Sequence, residues 1–161
     1  MTPANIRAIR MRCGLSVKEC AAVLGLTERQ VETMERAKWD VVFMDHYETL
    51  ARIESGMLDL IEAIVAREPR ILVGYMETPD LLQFEPGLRH LGSNMVHRMA
   101  LAEAQAILNA DASAPATDIV ELIPDAYAAW LATNGREDSL EAREDWAFVR
   151  LAEFKIVPAG G

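Results

Sequence analysis

Few residues of this 161-residue chain are suited to covalent or metal chemistry. The histidines are His46, His90 and His97, and the cysteines are Cys13 and Cys20. His90 and His97 fall on one predicted helix over residues 88 to 109, about two turns or roughly 10 Å apart, too far to share a metal ion easily. Solvent-facing or capping roles are the expectation for all three, with no metal site and no cofactor. Neither cysteine belongs to a CxxC pair, so buried reduced thiols are expected rather than a disulfide. The chain contains no glycine-rich phosphate loop, no G-x-S-x-G and no H-E-x-x-H, and its Asp and Glu are scattered as on a solvated surface. An enzyme is not expected.

What remains is hydrogen bonding and shape. Ser16 stands three before Glu19, and Thr27 three before Gln30; each hydroxyl can take an orphan amide while the longer side chain reaches back. Leu15 with Cys20, and Leu26 with Val31, supply the apolar staples that fix how the chain approaches each helix. Gly25, free to adopt the left-handed conformation, lies between the two starts. The pattern predicts a helix, a tight turn and a second helix. Val17, Cys20, Ala21 and Leu24 form one apolar stripe; on the second helix Val31 and Met34 point inward, and Glu28, Arg29, Gln30 and Thr33 outward. A two-helix unit this short cannot bury enough surface alone, so a third helix is expected before it, with Ile6 and Ile9 inward and Arg7, Arg10 and Arg12 on a basic exposed side.

Over roughly its first quarter the chain thus resembles the Cro/C1 type of helix-turn-helix (XRE-like) found in phage repressors and many bacterial regulators. The resemblance implies that residues 16 to 24 cross the phosphate backbone and that residues 28 to 36 form the recognition helix in the major groove of double-stranded DNA. Gln30 has the amide geometry to bond adenine at two points, Arg29 can fork onto guanine, Glu28 can accept from a cytosine amine, and Thr33 can meet a thymine methyl or a phosphate. Lys18, Thr27, Arg36 and Lys38 suit phosphate contacts, which position without specifying. In similar proteins the counterpart of Glu35 pairs with an arginine of the first helix, and Arg10 is the candidate here, in a structural role. The chain departs from the family at Val17, where glutamine is frequent, and at Glu35-Arg36-Ala37, where E-R-G is frequent. The competing interpretation is an ordinary helical bundle, or the same motif used for protein contacts.

Charge is distributed unevenly. Residues 1 to 40 hold seven Lys or Arg against five Asp or Glu, leaving nine against twenty elsewhere, within a net charge of −9. That balance argues against a histone-like or membrane-surface protein and for poor non-specific affinity, because counterion release scales with the phosphates neutralised. No apolar run reaches membrane-spanning length and no signal peptide is evident, so a cytoplasmic location is expected.

The predicted fold class is mainly α: a helix-turn-helix bundle over residues 1–40, then a linking helix and a small α+β domain with two short strands over residues 45–155, expected to dimerise. Residues 45 to 67 read as a long helix closed by Pro69; Leu50, Ile53, Met57, Leu60 and Ile64 follow a 3-4-3-4 spacing, interrupted by Gly56, which favours core packing over a coiled coil. Strands are predicted at 71 to 76 and 119 to 123, with a short helix at 78 to 84 capped by Thr78, the helix at 88 to 109, one from Pro124 to Asn134-Gly135, and one at 139 to 154. Tyr127, Trp130 and Trp146 read as core aromatics. This order also resembles autoregulators found beside anti-CRISPR genes and related uncharacterised bacterial regulators, which implies a homodimer reading a palindromic operator. The functional expectation is a homodimeric transcriptional repressor, with its own promoter a candidate target. The alternative is an antitoxin whose acidic C-terminal domain neutralises a toxin or other partner protein.

Overall fold

The computed structural model describes residues 3–36 and 44–155. It is mainly helical, with a two-stranded parallel sheet. Three short helices come first: α1 (Pro3–Arg12), α2 (Val17–Leu24) and α3 (Glu28–Glu35). The long α4 (Met44–Arg67) leads to β1 (Ile71–Tyr75), α5 (Thr78–Phe84), a 3-10 turn (Pro86–Leu91) and α6 (Asn94–Leu108). The chain then forms β2 (Asp118–Leu122), α7 (Pro124–Asn134) and α8 (Leu140–Lys155). No helix among the described residues is long and apolar enough to cross a membrane.

The strands pair in parallel from Ile71 opposite Asp118 to Tyr75 opposite Leu122, with α6 in the crossover between them. Every β1 residue is buried, as a strand covered on both faces requires. Leu72 faces a cluster shared by α1–α4 and α6, whereas Ile71, Val73 and Tyr75 join β2, α5, α7 and α8 in a second cluster. The first cluster is continuous from Ile6 and Val31 through Leu50 and Met57 to Ala104. Of the five spaced positions on α4, Leu50, Ile53, Met57 and Ile64 are buried and Leu60 is half-buried. Cys13 and Cys20 are free and fully buried in this cluster. Burial pushes both thiols up to about 11, so they stay protonated and unreactive.

Three local expectations are corrected. The predicted helix over 88 to 109 is two elements, because Gly92 takes a left-handed φ of 74° and Ser93 restarts the chain as the N-cap of α6, accepting from the Met95 amide. His90 and His97 therefore do not share a helix. Glu77, not Thr78, is the N-cap residue of α5; the Thr78 hydroxyl instead bonds across the fold to Asn94. Finally, the basic exposed side of α1 is narrower than expected: Arg7 and Arg12 are exposed, Arg12 in a surface pair with Glu54, whereas Arg10 is largely buried against Glu35.

The second cluster encloses one cation. Arg143, 5% exposed, bonds the Tyr75 hydroxyl (2.9 Å), Glu85 (2.5 Å) and Asp138 (3.0 Å), joining β1, the α5 exit, the α7–α8 loop and α8. Tyr127 donates to the same Asp138 oxygen at 2.8 Å and stacks with Trp130. Removing the guanidinium takes the buried partner from the Tyr75 hydroxyl and from the half-buried Glu85, while Asp138, at the surface, keeps Tyr127. Arg143→Met is expected to lower stability by about 3 kcal/mol in urea denaturation at pH 7, with Arg143→Lys recovering only part because lysine lacks the forked geometry.

Candidate nucleic-acid interface

The surface to be judged is the outward side of α3. Its direction is set from beneath: Val31 and Met34 are fully buried in the first cluster. Gly25 ends α2 with φ 67°, and Leu26 returns its amide to Ala21, so the turn into α3 is tight. Both capping boxes form. Ser16 accepts from the Glu19 amide while Glu19 accepts from the Ser16 amide, and Thr27 and Gln30 do the same. Arg10 fixes the far end of α3, gripping Glu35 at 2.5 and 3.0 Å while donating to the Leu15 carbonyl at 2.7 Å.

Above this support Glu28, Arg29 and Gln30 are exposed on the first turn of α3, and Glu32 and Arg36 continue the exposed side. The acceptor oxygen of Gln30 is engaged by the Thr27 amide and hydroxyl, so two-point bonding to an adenine requires that box to open. Thr27 is likewise occupied at the cap. Thr33 is half-buried, and its hydroxyl donates to the Arg29 carbonyl, leaving its methyl as the group free for apolar contact. Arg36 leans on Glu32 at 3.6 Å. Lys18 is exposed on α2; Lys38 lies outside the described residues.

A hydrogen bond also links this unit to α6. Besides its capping role, Glu19 accepts a hydrogen bond from Ser93, the N-cap of α6, at 2.9 Å. Burial works to raise the Glu19 pKa, but the bonds from Ser16 and Ser93 outweigh it and hold the carboxyl below its usual range. The junction joins the start of α2 to the start of α6, and Met99 of α6 packs against Gly14 in the α1–α2 turn.

The histidines part company. His90 is exposed, with Nδ1 3.0 Å from the Gly87 carbonyl, and His46 is half-buried. His97 is not solvent-facing, contrary to expectation: it is 4% exposed, lies against Tyr75 with ring centres 5.4 Å apart, and its Nδ1 has no hydrogen-bond partner. The spacing His97, Leu101, Ala104 places it on the buried stripe of α6, a pattern legible in the sequence. Compared with known proteins, the chain matches no family model and no curated sequence.

Two outcomes follow from this geometry. Glu35 is largely buried beneath α3, so Arg10→Met, which leaves its carboxylate unpaired, is expected to cost about 3 kcal/mol in thermal or chemical unfolding. Desolvation lowers the His97 pKa to about 4, with Tyr75 against the ring and Arg67, Glu85 and Glu144 lining a cleft that His97 borders between α4, β1, α6 and α8. The unfolded chain, with histidine near pH 6.5, binds the proton more readily, so His97 lowers stability as pH falls from about 6.5 to 4, by about 3 kcal/mol in full. The pH dependence of urea unfolding in His97→Leu should lose that slope relative to the unsubstituted protein.

Proposed function

We propose that the chain is a sequence-specific DNA-binding transcriptional regulator of the Cro/C1 helix-turn-helix type, a cytoplasmic homodimer repressing from a palindromic operator. Residues 1–40 serve as the reader and residues 45–155 as the linking and dimerising part. The observation that carries this is the division of α3: one side wholly buried and bearing its packing, the other exposed with Glu28, Arg29 and Gln30 on its opening turn. A helix end held rigidly and presenting a carboxylate, a guanidinium and an amide suits insertion into a major groove. Binding rather than catalysis is the activity. Two copies would set their reading helices about one DNA turn, roughly 34 Å, apart and block polymerase sterically.

The first operator to test is the DNA upstream of the chain's own coding sequence. In a mobility shift with that DNA, and with mass measured in solution, a dimer should form one sequence-selective complex. Arg29→Ala should cost about 1–3 kcal/mol and relax preference at one base position, whereas Lys18→Ala should weaken all sequences alike and reduce the salt slope by about 1. Gln30→Glu separates reading from capping, because glutamate preserves the box while removing the amide donor. Unaltered affinity and selectivity in both Arg29→Ala and Gln30→Glu would defeat the assignment.

A further inference from the structure

An open cleft of about 430 Å³ lies where α2 meets α4 and the end of the 3-10 turn. Ala22 and Val23 wall it from α2, Thr49, Arg52 and Ile53 from α4, and His90 from the turn. In a chain of net charge −9, this wall contains no carboxylate. Its arginine is uncommitted. Arg52 is exposed, its Nη2 meets the Thr49 hydroxyl at 3.3 Å, and no carboxylate among the described residues comes within ion-pair distance, Glu48 one turn earlier on α4 included. By contrast Arg10, Arg12, Arg36, Arg67 and Arg98 all meet acids. Thr49 is itself held, donating to the Asp45 carbonyl at 2.8 Å. His90 donates from Nδ1 to the Gly87 carbonyl at 3.0 Å, and its ring lies over Gly56, where a side-chain carbon would come within 2.6 Å of it. The imidazole is therefore a seated wall rather than a loose side chain. An open cleft leaves one side of an occupant in water, so an ion placed there keeps part of its hydration. The free N–H groups of a guanidinium match the two oxygens of a carboxylate, and Ala22, Val23 and Ile53 give an apolar body something to rest against.

We infer that this cleft binds a small organic monocarboxylate, its carboxylate paired with Arg52 and its apolar body lying along Val23 and Ile53. The wall offers no second arginine or lysine for a phosphate dianion, so a single negative charge is the match. Because the pairing is at the surface, screening and the freedom of the arginine side chain keep the affinity modest. The two sides of the cleft belong to different parts of the protein. α2 is half of the helix-turn-helix, whereas Gly92, also on the cleft, immediately precedes Ser93, whose hydroxyl bonds Glu19 of α2. An occupant that bridges α2 and α4 therefore bears on how α2, and α3 beyond Gly25, is seated. That effector role rests on the regulator reading; binding in the cleft does not.

The full chain is titrated with benzoate, benzamide, acetate and inorganic phosphate at constant ionic strength while backbone amides and histidine ring protons are followed by NMR. Saturable benzoate binding is expected, with Kd of about 1–10 mM and shifts at the Val23 and Ile53 amides and the His90 ring. Benzamide, of the same shape but uncharged, should bind about fivefold more weakly or worse, and so should acetate, which lacks the apolar body. Arg52→Gln should bring benzoate down to the level of benzamide, and Arg52→Lys should recover only part of the loss. Arg70→Gln removes an exposed arginine outside the cleft and should leave benzoate binding unaltered. Arg52 is exposed, so its loss is read in binding rather than in folding. Absence of saturable benzoate binding, benzamide or phosphate bound as tightly as benzoate, shifts that spare the cleft, or unaltered affinity in Arg52→Gln would overturn the site. At saturating benzoate, against chloride at the same ionic strength, the operator affinity of the unsubstituted chain should change about fivefold or more, a coupling of ordinary size, and that of Arg52→Gln should not. Unchanged operator affinity overturns the effector role. If no operator is bound at all, the regulator reading fails, while the titration still judges the cleft.

Discussion

An isolated helix of eight residues is marginal in water, because the nucleation cost is spread over too few hydrogen bonds. The eight residues of α3 are fixed in direction by what lies under and around them: Val31 and Met34 without exposure, a capping box at one end, and the Arg10–Glu35 fork at the other. Every property assigned to the outer side of α3 depends on that seat. The arrangement also explains why the first cluster does not stop at the end of α3. Three helices of eight to ten residues expose too much of their apolar faces, and α4 and α6 supply the missing cover through Leu50, Ile53 and Ala100.

Sharing a core has a mechanical consequence. Interiors are close-packed, so a displacement on one side of α6 is not absorbed locally. The stripe of α6 that carries Val96 and Ala100 joins the first cluster, which α6 reaches mainly through α4, while His97 lies against Tyr75 of β1. The Glu19–Ser93 bond adds a directional contact where packing alone would allow sliding. It also joins two helix starts, where orphan amides already make polar side chains valuable. One carboxylate there completes the cap of α2 and takes the hydroxyl that caps α6, so neither start can shift without disturbing the other.

What was legible in the sequence was local. Ser16–Glu19, Thr27–Gln30 and Gly25 act within one turn of the chain, so residue type and spacing identify them, and the two strands, though not their parallel pairing, were legible to within a residue as short runs of strand formers. What was not legible was set by distant partners. Arg143 looks like any surface arginine until Tyr75, Glu85 and Asp138 meet around it. The Gly92-Ser93 restart was hidden because apolar residues continue at helical spacing on both sides, and periodicity outweighed a turn signal that proved decisive. The burial of His97 was hidden by its residue type, although Leu101 and Ala104 beyond it mark the stripe.

Electrostatics limits how the α3 surface can work. Three of the arginines near it are partnered by acids of the same chain, Arg10 by Glu35, Arg12 by Glu54 and Arg36 by Glu32, and the rest of the protein is strongly acidic. Attraction to phosphate grows with the number of charges offered, so a surface this economical in free cations gains little from the DNA backbone alone. Affinity in the proposed complex then has to come from fit: two helices held at a fixed separation and each presenting the same opening turn. That places the selective burden on the rigidity of the seat rather than on charge. It also makes the α6 junction the natural point of control, because a small change in the angle of α3 removes more binding energy from a complex built on fit than from one built on long-range attraction.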